Sequence, residues 1–195
     1  MNVVVIRYGA GNVQSVLFAL QRIGINPILS SEPETISKAD KIIFPGVGEA
    51  SSTMKELKSS GIDRLIKELK QPFLGICLGL QLMCKHSEEG NTDCLGIFDL
   101  AVKKFIPAPG IKVPHVGWNT IQNLKGSLFK GILENSYVYY VHSFYAEMGQ
   151  ETRAETNYVN SFSASLSKNN FHAVQFHPEK SGTVGEAILK NFINL

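Results

Sequence analysis

PFLGICLGLQ (residues 72–81) places a short apolar run, a cysteine between two glycines and a second apolar run one after another. The first run reads as a strand buried on both faces and the second as the opening of a helix. Cys77 then stands at the turn between them, in the G-x-nucleophile-x-G arrangement that presents a side chain outward. Gly75 and Gly79 fit that turn because the backbone passes close to itself there, and glycine tolerates what a Cβ would forbid. At a helix start, free N–H groups and the helix dipole favour thiolate over thiol, which makes Cys77 a candidate nucleophile. The competing reading is a buried structural cysteine, the usual fate of this residue type. The partners of Cys77 have to decide between them.

Working outward from the turn, VVVI (3–6), PILS (27–30), KIIF (41–44) and PFLGI (72–76) are short apolar runs ending in glycine, proline or polar residues. They read as strands buried on both faces. A helix is expected over 12–22, where Val13, Val16, Leu17 and Leu20 recur at helical spacing. Another is expected around 62–69, from Ile62, Leu65, Ile66 and Leu69. Strand alternating with helix predicts an α/β fold with a parallel sheet covered by helices. Beyond residue 95 the pieces are shorter and richer in β-formers. YVYYVHSFYA (137–146) and FHAVQFHP (171–178) are the clearest strands, and Ala187, Ile188 and Phe192 mark a helix over 185–193. No repeat or linker interrupts the pattern, so residues 1–195 are expected to form one domain.

A net charge of +2 from 19 basic and 17 acidic residues, with no basic block, gives no reason to expect nucleic acid as a partner. The three cysteines, Cys77, Cys84 and Cys94, contain no C-x-x-C pair and leave one over. That argues against a disulfide framework or a zinc site, so no metal is expected and a reducing cytoplasmic location fits. The apolar run at the N-terminus is far too short for a signal segment or a membrane span, so no membrane association is expected.

Ligands of open α/β sheets sit outside the carboxyl ends of the strands. Both Cys77 and PGVGEA (45–50) fall at such ends. The glycine-rich turn lacks the Lys-Ser/Thr of a phosphate-binding loop, and YGAGN (8–12) lacks a third glycine in register. A peptide that turns a backbone N–H toward an oxyanion is another use for such glycines. A cysteine nucleophile also needs an imidazole to move a proton and a carboxylate to hold the imidazole. Among His86, His115, His142, His172 and His177, the last stands out: QFHPEKS (175–181) puts it at a strand end, with Glu179 two residues on.

PGVG, GICLGLQ and VQFHPEKS, in this order, resemble the class I (triad-type) glutamine amidotransferases. KVPHVGWN (112–119), YYVHSFYA (139–146) and YGAGN (8–12) narrow the resemblance to subunits that pass ammonia to a separate cyclase in histidine biosynthesis. The resemblance implies a flavodoxin-like, mostly parallel sheet with helices on both faces and added antiparallel strands in the C-terminal half. It implies no cofactor. Cys77 would attack the carboxamide of L-glutamine, with His177 as general base and acid and Glu179 orienting it. The oxyanion donors would be the N–H of Leu78 and one from the turn at Val47 and Gly48. Gln81, Glu89 and backbone groups of Ser143 and Phe144 would hold the substrate.

The partner implied is a (βα)8-barrel cyclase forming a heterodimer, with Asn12, Trp118, Tyr140 and Lys180 at or near the interface. Arg7, Glu49 and Val116 depart from the common pattern, all near the partner face. Three other readings stay open on the residues alone: a paralogue feeding another amidation such as surface-sugar synthesis, a catalytically silent scaffold, and a cysteine hydrolase using the same triad.

Overall fold

In the computed structural model, which describes residues 1–8, 13–46, 48–107 and 109–195, strand and helix alternate through the first half as the hydrophobic pattern predicts. Strands β1 (Val3–Ile6), β2 (Ile28–Ser30), β3 (Lys41–Phe44) and β4 (Phe73–Ile76) run parallel. Helices α1 (Gln14–Arg22), α2 (Pro33–Ser37), α3 (Ala50–Ser60), α4 (Ile62–Glu68) and α5 (Leu78–Met83) connect or follow them. The second half contributes β5 (His86–Ser87), β6 (Thr92–Asp93), β7 (Ala101–Lys104), β8 (His115–Ile121), β9 (Ser136–His142) and β10 (Phe144–Ala146). It then closes with β11 (Thr152–Asn157), β12 (Ser161–Lys168), β13 (Phe171–Val174) and α6 (Gly182–Ile193).

The main sheet has the order β11-β12-β13-β4-β3-β1-β2. Its β2-β1-β3-β4-β13 part is all parallel and has the flavodoxin-type doubly wound order, while β12 and β11 are added antiparallel. Strand alternation sends Val3 and Val5 to one face and Val4 and Ile6 to the other, and all four are buried. On the first face they meet Val16 and Leu20 of α1 and Ile188, Leu189 and Phe192 of α6. On the second they meet Ile36, Met54, Leu57, Ile62 and Ile66 of α2, α3 and α4. The sheet is thus covered on both sides, which is why its strands read as continuous apolar runs.

Several details differ from the sequence reading. β2 is the edge strand, so Ile28 and Leu29 are 45% and 37% exposed rather than buried on both faces. The run over 137–146 is two strands: β9 pairs with β8, and after Ser143 the chain crosses to pair β10 with β7. The crossing is pinned where Phe105 N–H donates to the Ser143 carbonyl, 3.0 Å. Helix α3 has no counterpart in the sequence reading, because ASSTMKELKSS buries only Ala50, Thr53, Met54 and Leu57 and is otherwise polar. Among the described residues, no helix is long and apolar enough to cross a membrane.

Candidate active site

The elbow forms as read. Cys77 takes φ 52° and ψ −108°, a region costly for a residue with a Cβ, and it is pinned by its N–H to the Val174 carbonyl at 2.8 Å. Two glycines make the turn possible. A Cβ on Gly79 would run into the Phe44 carbonyl of β3, and one on Gly46 would run into Ile76 O and Leu78 N. Gly46 therefore packs directly on the elbow, against the peptide N–H that follows Cys77.

His177 arrives from the neighbouring strand, because β13 pairs in parallel with β4 and carries the chain to the same sheet end. Its backbone is fixed on both sides: the N–H donates to the Tyr139 carbonyl at 2.9 Å, and its carbonyl accepts from Ser181 Oγ at 2.7 Å. Pro178 then opens a single 3-10 turn that brings Glu179 back under the ring. Glu179 Oε1 lies 2.8 Å from His177 Nδ1, and both side chains are buried. Burial alone would lower the His177 pKa. The charge of Cys77 and its hydrogen bond to the ring, with Glu179 behind, outweigh that and push it up to about 10. With Nδ1 held by the carboxylate, the proton to be exchanged with sulfur sits on Nε2.

A second buried histidine, His142, lies beside this pair and behaves oppositely. Its Nδ1 is 2.7 Å from the Phe144 carbonyl, which can only accept, so Nδ1 carries the proton. His142 Nε2 must then accept from His115 Nδ1 at 3.0 Å. Burial lowers the pKa of His142 to about 3 and of His115 to about 4. Both rings stay neutral near pH 7, in contrast to His177.

Cys77, Leu78, His177, Gly46, Gly48, Gln81, Glu89, Ser143, Phe144 and Lys180 line one cleft of about 430 Å³, in the size range of a small-molecule site. Gln81 sits one turn beyond Cys77, and its Nε2 donates to the Phe144 carbonyl at 2.8 Å and to Gln175 Oε1 at 3.0 Å. With both N–H groups used, its Oε1 is the atom available to a ligand, and it asks for a donor. Glu89 Oε2 accepts from Ala50 N–H at 2.8 Å. Burial raises the Glu89 pKa, the Ala50 N–H partly offsets this, and Glu49 adds to the rise.

Most of the expected site residues therefore share one cleft, though they come from five separate segments of chain. Trp118 is 54% exposed on the outer face of the β8–β9 hairpin, and Lys180 is exposed at the cleft mouth. Tyr140 is corrected: it is fully buried, with its hydroxyl 2.7 Å from Thr156 Oγ1, so it cannot touch a partner. The alternation along YVYYVH held the signal, since it groups Tyr140 with the buried Val138 and His142. Asn12 and Val47 lie outside the described residues. Glu49, one of the unusual positions, caps α3 by accepting from the N–H groups of Ser51 and Ser52 at 3.1 and 2.9 Å.

The sequence reading did not assign Gln175. It is fully buried, and its Nε2 donates to Cys77 Sγ at 3.6 Å. A lone glutamine between the apolar Val174 and Phe176, two residues before His177, was the available signal.

The chain is 59% identical to "Imidazole glycerol phosphate synthase subunit HisH" of Bacteroides fragilis (strain YCH46) over 196 residues, all of both chains. It is 55% and 45% identical to proteins of the same name from Bacteroides thetaiotaomicron and Pectobacterium atrosepticum, again over the full length of both. Among solved structures, one described as a glutamine amidotransferase superposes with a TM-score of 0.75 at 18% identity, covering 99% of this chain and 98% of that one. Another, PurLQS from Thermotoga maritima, gives a TM-score of 0.72 at 16% identity over 99% and 97% of the two chains, and both likenesses bear on the fold alone. With residues 4–195 also matching the model of the glutamine amidotransferase class-I family, the chain belongs to that family.

Proposed function

We propose that this chain is a single-domain glutaminase that hydrolyses L-glutamine and hands the ammonia to a (βα)8-barrel cyclase making imidazole glycerol phosphate in histidine biosynthesis. The observation that carries the reading is the buried Cys77–His177–Glu179 constellation in one cleft with Gln81 and Glu89.

The substrate's ammonium is met by the Glu89 carboxylate and the Oε1 of Gln81. The carbonyls of Ser143 and Phe144 already accept from Phe105 N–H and from Gln81, so their N–H groups are what they offer the substrate carboxylate. The Cys77 sulfur attacks the side-chain carboxamide carbon. The resulting oxyanion is held by the Leu78 N–H and by an N–H of the PGVG turn. When the tetrahedral intermediate collapses, the C–N bond breaks, the leaving nitrogen takes the proton from His177 Nε2, and ammonia departs from a glutamyl thioester. His177 then removes a proton from water, which attacks the thioester. Glutamate leaves and the proton returns to the Cys77–His177 pair. Glu179 keeps the ring oriented through both steps.

Ammonia released to water is protonated and lost as a nucleophile, so the cleft requires a cover. Val116, Trp118, Tyr137 and Val141, at 56%, 54%, 61% and 38% exposure, form an apolar face on the β8–β9 hairpin that runs to the cleft. A patch of that kind suits the cyclase as partner. We place the pair in the reducing cytoplasm, where Cys77 stays unoxidised.

Because the PGVG turn must aim an N–H at the oxyanion, the isolated chain is expected to be nearly inactive. One missing oxyanion donor costs on the order of 100- to 1000-fold in rate. Glutamate release is to be measured for the chain alone, with cyclase, and with cyclase plus its nucleotide substrate. A large rise across the three is expected; rates equal within a factor of a few would contradict the switch.

A further inference from the structure

The main sheet brings a fourth side chain to the nucleophile. β13 and β4 pair with Val174 opposite Ile76, and continuing that register by one residue sets Gln175 level with Cys77. The Gln175 side chain is fully buried and its amide lies between the sulfur and Gln81.

A chain of hydrogen bonds fixes the direction of that amide. The Phe144 carbonyl can only accept, so the group of Gln81 that faces it at 2.8 Å is the NH2. The other hydrogen of the same NH2 points to Gln175 at 3.0 Å, so Gln175 presents its oxygen there. Its NH2 is then left toward Cys77 Sγ at 3.6 Å. Exchanging O and N in Gln175 would set two NH2 groups face to face and two electron-rich atoms, O and S, against each other. One backbone carbonyl thus sets the polarity of the whole relay.

We propose that Gln175 is a catalytic residue of the glutaminase reaction: its Nε2–H stabilises the Cys77 thiolate while its Oε1 locks Gln81, so that the substrate's anchor and the nucleophile are held by one side chain. A hydrogen bond to the charged form of a group favours that form, and an amide donor does so without bringing a proton that the reaction must move. The same bond turns Gln81 so that its Oε1 faces the cleft. The proposal rests on Cys77 being the nucleophile.

Two substitutions separate the two halves of the role. Gln175→Glu keeps an acceptor for Gln81 but replaces the donor at sulfur with an anion. Gln175→Met is similar in shape and removes both bonds. Reaction of Cys77 with iodoacetamide at pH 7, followed by mass spectrometry of the Cys77 peptide, reads the sulfur without glutamine. The KM for glutamine, measured with the cyclase bound, reads Gln81.

Alkylation is expected to slow severalfold in Gln175→Met, which removes the donor without adding a charge, and further in Gln175→Glu. KM should stay near the wild-type value in Gln175→Glu and rise severalfold in Gln175→Met. Alkylation of Gln175→Met within about twofold of wild type would overturn the proposal, because replacing a merely structural glutamine by a neutral side chain of similar shape would leave the sulfur's reactivity alone.

If neither variant folds, the side-chain amide of Gln175 decides. Its NMR resonance should move, and its hydrogens exchange faster, when Cys77→Ala removes the sulfur. An unchanged resonance overturns the role. Undiminished glutaminase activity in Cys77→Ala would instead remove the nucleophile reading itself, so the two failures are distinguishable.

Discussion

His177 is chemically set apart from the other buried histidines by what stands on its two nitrogens. Burial drives His115, His142 and His172 below the ordinary imidazole range, whereas the Cys77 charge and Glu179 reverse that tendency at His177. Its folded-state pKa of about 10 lies above the unfolded value near 6.5, so its stabilising contribution is full below about pH 6.5 and is lost as pH rises through 10. In Cys77→Ala the anion is gone, and burial is opposed only by Glu179. The His177 ring is expected to titrate at lower pH in that variant than in the wild type, as followed by NMR. An unchanged titration would mean that the sulfur does not carry the charge that pairs with the ring.

At the scale of elements, the elbow depends on β3 and the residue Gly46 just beyond it approaching its backbone more closely than a side chain permits. Gly79 is the sharper test. Alanine in a helix interior is ordinarily favoured over glycine by roughly 0.5–1 kcal/mol. Here its Cβ would overlap the Phe44 carbonyl of β3, and overpacking of that kind costs about 1–3 kcal/mol. Gly79→Ala is therefore expected to lower the urea midpoint, with a net loss of about 1–2 kcal/mol; a midpoint at or above wild type would show that β3 and α5 do not meet as described. The elbow was legible in PFLGICLGLQ because strand, turn and helix signals follow one another within ten residues there. β2 was misread as buried because an apolar run looks the same at the edge of a sheet as in its centre. α3 was missed because Glu49 caps it through side-chain oxygens while its exposed face is too polar to show a helical stripe. The break at Ser143 was invisible because it is set by a pairing with Phe105 and β7, remote in sequence.

Over the whole molecule, catalysis rests on sheet order. Cys77, the proposed nucleophile, comes from the end of β4 and His177, the proposed base, from the end of β13, and only the adjacency of these strands in the sheet brings them together. The pairing of Cys77 with His177 and Glu179 could be read from residue types and strand ends. The contacts of Gln175 behind the sulfur could not, because they depend on the register of β13 against β4, whereas the burial of Tyr140 was signalled by the alternation along YVYYVH. The same architecture puts the cleft next to the apolar β8–β9 face, so in the proposed complex substrate chemistry and partner docking would share one end of the sheet. The central claim is that glutamine passes through a covalent intermediate on Cys77. With cyclase and its nucleotide bound, turnover of isotopically labelled glutamine should be quenched in acid and the peptides analysed by mass spectrometry. A γ-glutamyl thioester is expected on the Cys77 peptide, and neither label nor hydrolysis in Cys77→Ala; rapid hydrolysis without label on Cys77, or wild-type rates in Cys77→Ala, would contradict it.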